Sequence, residues 1–246
     1  MFNSDLTKAS LFLNTRDNAT VCGLDIAHAV FKKLDPLCEF QPFFKDSDRV
    51  QAGAKLAVIS GNARAILSAE RLALNLLQRL SGIASLTATF VNEIKHTNTI
   101  LIDTRKTTPG LRLLEKYAVV CGGGRNHRFS LDTGIMLKDN HISIAGGISS
   151  AVKHARKIVP ILTKIEVECD NLSQVKEALS AGADIIMLDN MTNGEMLRSV
   201  NFVDGRVPLE CSGGVNLTNI RGKAETGVDF ISVGQITQSA ACIDIG

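Results

Sequence analysis

Residues 164–189, KIEVECDNLSQVKEALSAGADIIMLD, decide the fold. Two short, largely apolar and β-branched runs, KIEVEC and DIIMLD, flank a stretch with helical spacing over 172–181. A strand, a helical crossover and a second strand of this length form the unit that joins parallel strands. The same grammar recurs from about Thr99 onward, with further strands at TILIDT, GIMLKD, VPLECS and FISVG. Helices are predicted near 111–119, 148–158, 193–200 and 217–225. Strands that are apolar along their length belong to a parallel sheet covered by helices. Six units fall short of the usual eight, so residues 83–246 are expected to form an open, incomplete β/α barrel, with room for one further strand. A doubly wound open sheet is the structural alternative, because strand count alone does not decide closure.

Residues 1–82 do not repeat. Asp46-Ser47-Asp48 followed by VQAGAKLAVISG predicts strands joined by a tight glycine turn, while 25–34 and 66–80 carry helical spacing. This is a small α+β domain feeding a helix, onto which the C-terminal end of the chain is expected to pack.

Each predicted strand of the repeat stops on a polar or glycine-containing group. In order these are Asp103-Thr104-Arg105-Lys106, Lys138-Asp139-Asn140-His141, Glu168, Asp189-Asn190, Glu210 to Gly214, and Gly234 after Ser232. Parallel strands bring these ends to one rim, where active sites sit in both barrel and doubly wound folds. At any single position, a polar strand end is as well explained by entry into a loop. Six such ends in turn, with Lys, Glu and Asp closing otherwise apolar runs, are harder to explain that way, since a charge beside a buried strand costs free energy unless it is paired or used.

The chemistry of the set points to a polyanion. Arg105, Lys106, Arg128 and Lys138, with His127 nearby in CGGGRNHR, suit carboxylates and phosphates; guanidinium forks grip carboxylates and lysine supplies a point charge. Glu168 and Asp189, from successive strands, fit sugar hydroxyls or a magnesium ion accompanying a pyrophosphate, held directly or through water. Glu168 as an ion-pair partner of Lys138 is the structural alternative. Ser212-Gly213-Gly214 and Gly234, after late strands, suit a phosphate held on backbone N–H groups. Gly122 to Gly124 fit a helix stop after YAVVC as well as a ligand loop.

Composition narrows the class further. Lys plus Arg number 27 against 25 Asp plus Glu, and only 4% of residues are aromatic, so neither a basic field nor a stacking surface argues for nucleic acid. No apolar run of membrane-spanning length appears, and MFNSDLTKAS does not resemble a secretory signal, so a cytoplasmic protein without membrane attachment is expected. Six cysteines without metal-ligand spacing predict reduced, mostly buried thiols. No Walker, HExxH or GxSxG pattern is present, and His28, His96 and His154 read as structural or solvated.

At ALNLLQRLSGIAS, DTRKTTPGLRLLEKYAVVCGGGRNHR, LKDNHI, KIEVEC, ADIIMLDNM, ECSGGVN and TGVDFISVG the chain resembles the quinolinate phosphoribosyltransferases. The resemblance runs from about residue 4 to the end, and TRKTTPG, NHR and KDNH are its specific motifs. It implies an N-terminal α/β sandwich domain before the open barrel, and transfer of phosphoribosyl from phosphoribosyl pyrophosphate to quinolinate. Decarboxylation then gives nicotinate mononucleotide. Thr104, Arg105, His127, Arg128 and Lys138 would form the quinolinate pocket, with Lys106 and Lys138 toward the pyrophosphate. Glu168 and Asp189 would hold ribose hydroxyls and magnesium, while Ser212, Gly213, Gly214, Ser232 and Gly234 would take the phosphate. No organic cofactor is implied. The resemblance implies a homodimer in which Arg71 of AERLALN reaches the neighbouring subunit's site, with assembly of dimers into hexamers left open. The family's usual opening, resembling E-D-x-G-x-G-D-x-T, survives only as Ser4-Asp5-Leu6-Thr7. Rival readings are a truncated non-catalytic binding relative, the paralogue of molybdenum-transport operons, and nicotinate phosphoribosyltransferase.

Overall fold

The computed structural model describes residues 7–246, so Ser4, Asp5 and Leu6 lie outside the described residues. The chain divides into two compact units. The first comprises the described residues up to Thr89 together with Thr107–Gly124 and Ile236–Gly246; the second comprises Phe90–Lys106 and Arg125–Gln235.

The chain opens with β1 (Lys8–Asn14), β2 (Ala19–Thr20), α1 (Leu24–Leu34), β3 (Glu39–Pro42), β4 (Arg49–Val50), β5 (Lys55–Asn62) and the long helix α2 (Ala63–Ile94). β1, β5 and β3 form an antiparallel sheet in that order, and β2 pairs with β4. The glycine turn expected after Asp48 is present at Gly53, whose φ is 87°, but the strands it joins enter different sheets. Leu13, Phe31, Leu56, Ile59, Leu74 and Leu77 fill the core of this unit. Each such side chain contributes about 1.5–3 kcal/mol on burial. The C-terminal segment joins them: Asn14 N donates to the Gly246 carbonyl at 2.8 Å, and Ile245 is buried in the same core.

The helix predicted over 66–80 runs on to Ile94 through Gly82. A glycine in a helix interior normally weakens it. Here a Cβ at Gly82 would collide with the Ala241 carbonyl, so the glycine is what lets the C-terminal segment lie against the helix.

The second half holds β6 (Ile100–Ile102), α3 (Arg112–Cys121), β7 (Ile135–Leu137), α4 (Asp139–Ala145), α5 (Ile148–Ile158), β8 (Ile165–Cys169), α6 (Leu172–Ser180), β9 (Ile185–Asp189), α7 (Asn193–Val203), β10 (Leu209–Ser212), α8 (Ile220–Ala224), β11 (Phe230–Ser232) and α9 (Gln235–Gln238). The strands form one parallel sheet in the order β6-β11-β10-β9-β8-β7. Chain neighbours β7 to β11 lie side by side, and β6 returns beside β11. Closure would need β6 to pair with β7, and among the described residues no ladder joins them. The barrel is therefore open at that seam. At its β6 edge, Arg125 forms a single parallel bridge with Ile102. Arg125 N donates to the Leu101 carbonyl at 2.9 Å, and Asp103 N donates to the Arg125 carbonyl at 3.1 Å, a fragment of the further strand.

Helix α3 ends at Cys121, and glycine is required just beyond it for packing. A Cβ on Gly122 would lie 2.5 Å from the Ala84 carbonyl oxygen and from the Thr87 Cβ. Gly122 to Gly124 thus read as the helix stop. Helix α4, not anticipated from LKDNHI, starts at Asp139, and the His141 ring in its first turn accepts the Lys138 N–H at 3.0 Å.

Candidate active site

Within the second unit, the carboxyl ends of the parallel strands carry the polar residues singled out in the sequence. Asp103, fully buried just past β6, organises the segment that returns at residue 125. Its carboxylate accepts the His127 N–H at 2.8 Å and the Asn126 side-chain amide at 2.7 Å. This holds His127 and Arg128 beside the end of β6. Thr104 Oγ1 accepts the Lys106 N–H at 3.1 Å, and a Cβ at Gly234 would lie 2.9 Å from Lys106 Cδ. The bare backbone after β11 is therefore covered by the lysine stem.

Lys138 forms an ion pair with Glu168, from the ends of the adjacent strands β7 and β8. Asp189 ends β9 beside Asn190, whose side-chain amide donates to Asp189 Oδ2 at 2.7 Å and whose backbone N–H donates to the Ser212 carbonyl at 3.1 Å. Gly213 and Gly214 follow with φ of 89° and 59°, backbone that non-glycine residues seldom adopt. A Cβ on Gly213 would collide with Asn190 Oδ1, so the turn after β10 is packed directly on the end of β9.

Glu166, which the sequence-based set lacks, and Glu210, which it names only as the start of the strand end running to Gly214 and gives no role, complete the interior. The two are 4% and 2% exposed, and both contact His127. His127 Nε2 lies 3.1 Å from Glu166 and 3.3 Å from Glu210, while Nδ1 accepts the Arg128 backbone N–H at 2.6 Å. Burial opposes protonation of the imidazole, but hydrogen bonds to the two carboxylates outweigh it and raise its pKa to about 10. Burial pushes Glu210 up to about 7, helped by the charge of Glu166 and opposed by His127 and by the Ser232 hydroxyl. The outer oxygen Oε1 of each glutamate has no hydrogen-bond partner. Both line a cavity of about 230 Å³ with Asn126, His127 and Arg128. The sequence did carry a signal for Glu166, since it stands two residues before Glu168 and so faces the same side of β8.

Arg128 Nη1 donates to the Gly134 carbonyl at 2.8 Å. Burial first, and the neighbouring Arg105 charge second, hold its pKa below the usual guanidinium range. The Arg105 charge therefore opposes that of Arg128, as a like charge in the same region does. Thr104, Arg105, Lys106, Lys138, Glu168, Asp189, Ser212, Gly213, Gly214, Ser232 and Gly234 lie at or just beyond the carboxyl ends of the parallel strands, whereas His127 turns to Glu166 and Glu210 within β8 and β10 and Arg128 to the Gly134 carbonyl before β7. Arg71 is exposed on α2 in the first unit.

Among the described residues, two groups have donor atoms close enough to hold a metal ion: His127, Glu166 and Glu210, and, in the first unit, Cys22, Asp46 and Cys121. In the second group, the Asp46 oxygens already accept the N–H groups of Gly23 and Leu24 and the Tyr117 hydroxyl, which makes Asp46 an anchor for the start of α1. Cys22 and Cys121 meet there although 99 positions separate them in the sequence. The cysteines are free thiols, and all but Cys242 are buried. His28 stacks on Phe40 with ring centroids 4.8 Å apart, and His96 pairs with Glu225 at 3.0 Å, both structural roles. Among the described residues no helix is long and apolar enough to cross a membrane.

Comparison with known proteins finds similarity over nearly the whole chain. The family described as quinolinate phosphoribosyl transferase matches with its N-terminal domain over residues 3–81 and its C-terminal domain over 83–246. A probable carboxylating nicotinate-nucleotide pyrophosphorylase from Synechocystis is 46% identical over 220 residues, covering 88% of this chain and 75% of the relative. One from Bacillus subtilis is 41% identical, covering 98% and 86%. The crystal structure of NadC from Streptococcus pyogenes superposes with a TM-score of 0.96 at 42% identity, covering 99% of this chain and 86% of that one.

Proposed function

Because the chain belongs to the quinolinate phosphoribosyltransferase family, we propose that the rim residues of its open barrel divide the family's reaction among themselves in a definite way. The reaction transfers phosphoribosyl from phosphoribosyl pyrophosphate to quinolinate. It yields nicotinate mononucleotide, pyrophosphate and carbon dioxide, a step of pyridine nucleotide biosynthesis. The observation that carries the assignment is the cationic set Arg105, Lys106 and Lys138 at the strand ends with His127 and Arg128 held beside the end of β6 by Asp103, a set suited to a dianion. Quinolinate, with two adjacent carboxylates, satisfies both guanidinium groups where a monocarboxylate would leave one unmet.

In this reading Thr104, Arg105, His127 and Arg128 bind the pyridine dicarboxylate and aim its nitrogen at the anomeric carbon. Lys106 and Lys138 stabilise the departing pyrophosphate as positive charge develops on the ribose, which is positioning combined with electrostatic stabilisation. Ser212, Gly213 and Gly214, with Ser232 and Gly234 on the next strand, receive the 5′-phosphate. Glu168 and Asp189 hold the ribose hydroxyls. They are hard oxygen donors at adjacent strand ends, fit for a magnesium ion held directly or through water, and the ion would supply charge neutralisation at the pyrophosphate. No organic cofactor enters. Loss of the carboxylate next to the alkylated nitrogen needs none, since the cationic ring accepts the electron pair.

We further read the protein as a cytoplasmic homodimer, with a hexamer as the larger alternative, in which Arg71 reaches the partner's site. Leu67 and Leu72, half exposed on either side of Arg71 on α2, support an interface there. The test is incubation of the purified chain with phosphoribosyl pyrophosphate, magnesium and either quinolinate or nicotinate, following nicotinate mononucleotide and carbon dioxide. Product from quinolinate alone is expected. Product from nicotinate, or phthalate binding without turnover of quinolinate, overturns the reading.

A further inference from the structure

The sequence scatters its cysteines without a pairing pattern, yet the fold sets two of them side by side in the first unit. The Sγ atoms of Cys22 and Cys121 lie within 4.8 Å of one another and of an Asp46 oxygen. Asp46 is already engaged. Its Oδ1 accepts the Gly23 and Leu24 N–H groups at 2.9 and 3.1 Å, and its Oδ2 accepts the Tyr117 hydroxyl at 2.8 Å. The chemistry left to this group is that of the two sulfurs.

The backbone around each cysteine holds the approach. The Ser81 hydroxyl, on α2, accepts the Cys22 N–H at 3.0 Å and donates to the Cys22 carbonyl at 3.2 Å. Gly122, next to Cys121, packs on the same helix, so closely that a Cβ there would collide with the Ala84 carbonyl. Ser81 and Ala84 are three residues apart, about 4.5 Å of helix rise, so α2 seats the two cysteines about one turn from each other. Asp46 is a second brace. It bonds Gly23, beside Cys22, and Tyr117, which stands four residues before Cys121 and so on the same face of α3. A disulfide sets its sulfurs about 2.05 Å apart. From 4.8 Å, the sulfurs need to approach by at most about 2.8 Å, within reach of rotation about the two Cα–Cβ bonds.

Exposure assigns the order of events. Cys121 is 8% exposed and Cys22 is 0% exposed, so an oxidant from solvent meets Cys121 first and Cys22 resolves the product.

We propose that Cys22 and Cys121 are a peroxide-sensitive thiol pair that closes to a reversible disulfide and staples the first unit. Cys121 sulfur gives up its proton and attacks one oxygen of hydrogen peroxide. The O–O bond breaks, the second oxygen leaves as water with that proton, and Cys121 becomes a sulfenic acid. Cys22 sulfur then attacks Cys121 sulfur; the S–O bond breaks, and the hydroxyl leaves as water with the Cys22 proton. The two sulfurs lose two electrons and the peroxide gains them. A thiol reductant reopens the bond, and a reducing compartment keeps the pair open at rest. The bond joins positions far apart in sequence, so it restricts the unfolded chain strongly. Apart from Arg71, the residues assigned to the reaction lie in the second unit, so the effect falls on stability rather than on turnover.

The test treats the whole reduced protein, freed of metal with a chelator, with hydrogen peroxide at equimolar amount, and alkylates the remaining thiols after denaturation. The expected result is a peptide joining Cys22 to Cys121, two hydrogen masses lighter than its reduced halves and separated by dithiothreitol. The oxidised protein should melt roughly 5–10 °C above the reduced one, with turnover within a few-fold. In Cys22→Ser, a dimedone adduct should appear on Cys121, whereas Cys121→Ser should leave Cys22 unmodified. Full alkylation of both cysteines after peroxide in the wild-type protein overturns the proposal whether or not the variants fold. So does a linkage of either cysteine to a different partner. An unchanged or lower melting temperature in the linked protein, or a loss of turnover that dithiothreitol reverses, overturns the assignment to stability.

Discussion

Lys138 and Glu168, closing the adjacent strands β7 and β8, are joined as an ion pair across 30 positions of sequence. The pair is not buried, with side-chain exposures of 45% and 13%, so its contribution to stability is small, at most about 1 kcal/mol. Its value lies in presenting an ammonium at the rim. Glu168 prevents the lysine from folding away, and the capping of α4 by the Lys138 backbone fixes where the side chain starts.

Lys138→Ala should therefore leave the melting temperature within a few degrees of wild type and lower kcat by roughly 100-fold or more, the scale of a lost electrostatic contact to developing charge. Arg105→Ala should behave alike in stability but act mainly through KM for quinolinate. Steady-state kinetics beside thermal unfolding separates the two effects, and wild-type rates in either variant would sink the assignment.

The strands were legible in the sequence because each combines an apolar β-branched run with an abrupt polar end; all six occur within a few residues of where the pattern puts them. Their convergence followed from parallelism alone. What stayed hidden depends on pairing at a distance. Glu166 looks like an ordinary alternating strand residue until β10 brings Glu210 and the loop after Arg125 brings His127 against it. The continuation of α2 through Gly82 was hidden for a similar reason, since the glycine answers to a segment more than 150 residues away. Helix α4 was missed because Lys138 to His141 was read as a strand-end motif, although it also caps the helix.

Gly213 offers a test of the phosphate turn. Its φ of 89° penalises any side chain by roughly 1–2 kcal/mol, and a methyl group would push Asn190 away from Asp189. Gly213→Ala should raise KM for phosphoribosyl pyrophosphate roughly tenfold while leaving affinity for phthalate unchanged. A change in phthalate affinity of the same size would mean that the turn serves the pyridine pocket instead.

The first unit is held by an ion pair that no local pattern announces. Glu115 on α3 is fully buried, and the Arg79 guanidinium lies 2.9 Å from it, also donating to the Ala240 carbonyl at 2.8 Å. The Thr108 hydroxyl donates to the same carboxylate at 2.7 Å, so part of the TRKTTPG motif serves structure. Arg79→Met should cost about 3–5 kcal/mol, because it leaves a buried carboxylate without its cation. The double variant Arg79→Met with Glu115→Met should recover much of that loss, and chemical denaturation of the three proteins decides. A double variant as unstable as the single one would show that the guanidinium acts through the carbonyls at the C-terminal end.

Arg71 gives the sharpest test of assembly. It is exposed on α2 in the first unit, while the cations assigned to the reaction occupy the second. If each subunit lends Arg71 to its partner, Arg71→Ala and Lys138→Ala homodimers should each be nearly inactive. Subunits mixed after mild dissociation should then recover activity, because a mixed dimer contains one site with both residues intact. Random pairing makes half of the dimers mixed, so about a quarter of the wild-type rate is the expected ceiling, one competent site in half of the molecules. Full activity in the Arg71→Ala homodimer removes the residue from the site. Inactivity of both parents and of their verified mixture would place Arg71 and Lys138 in the same subunit's machinery.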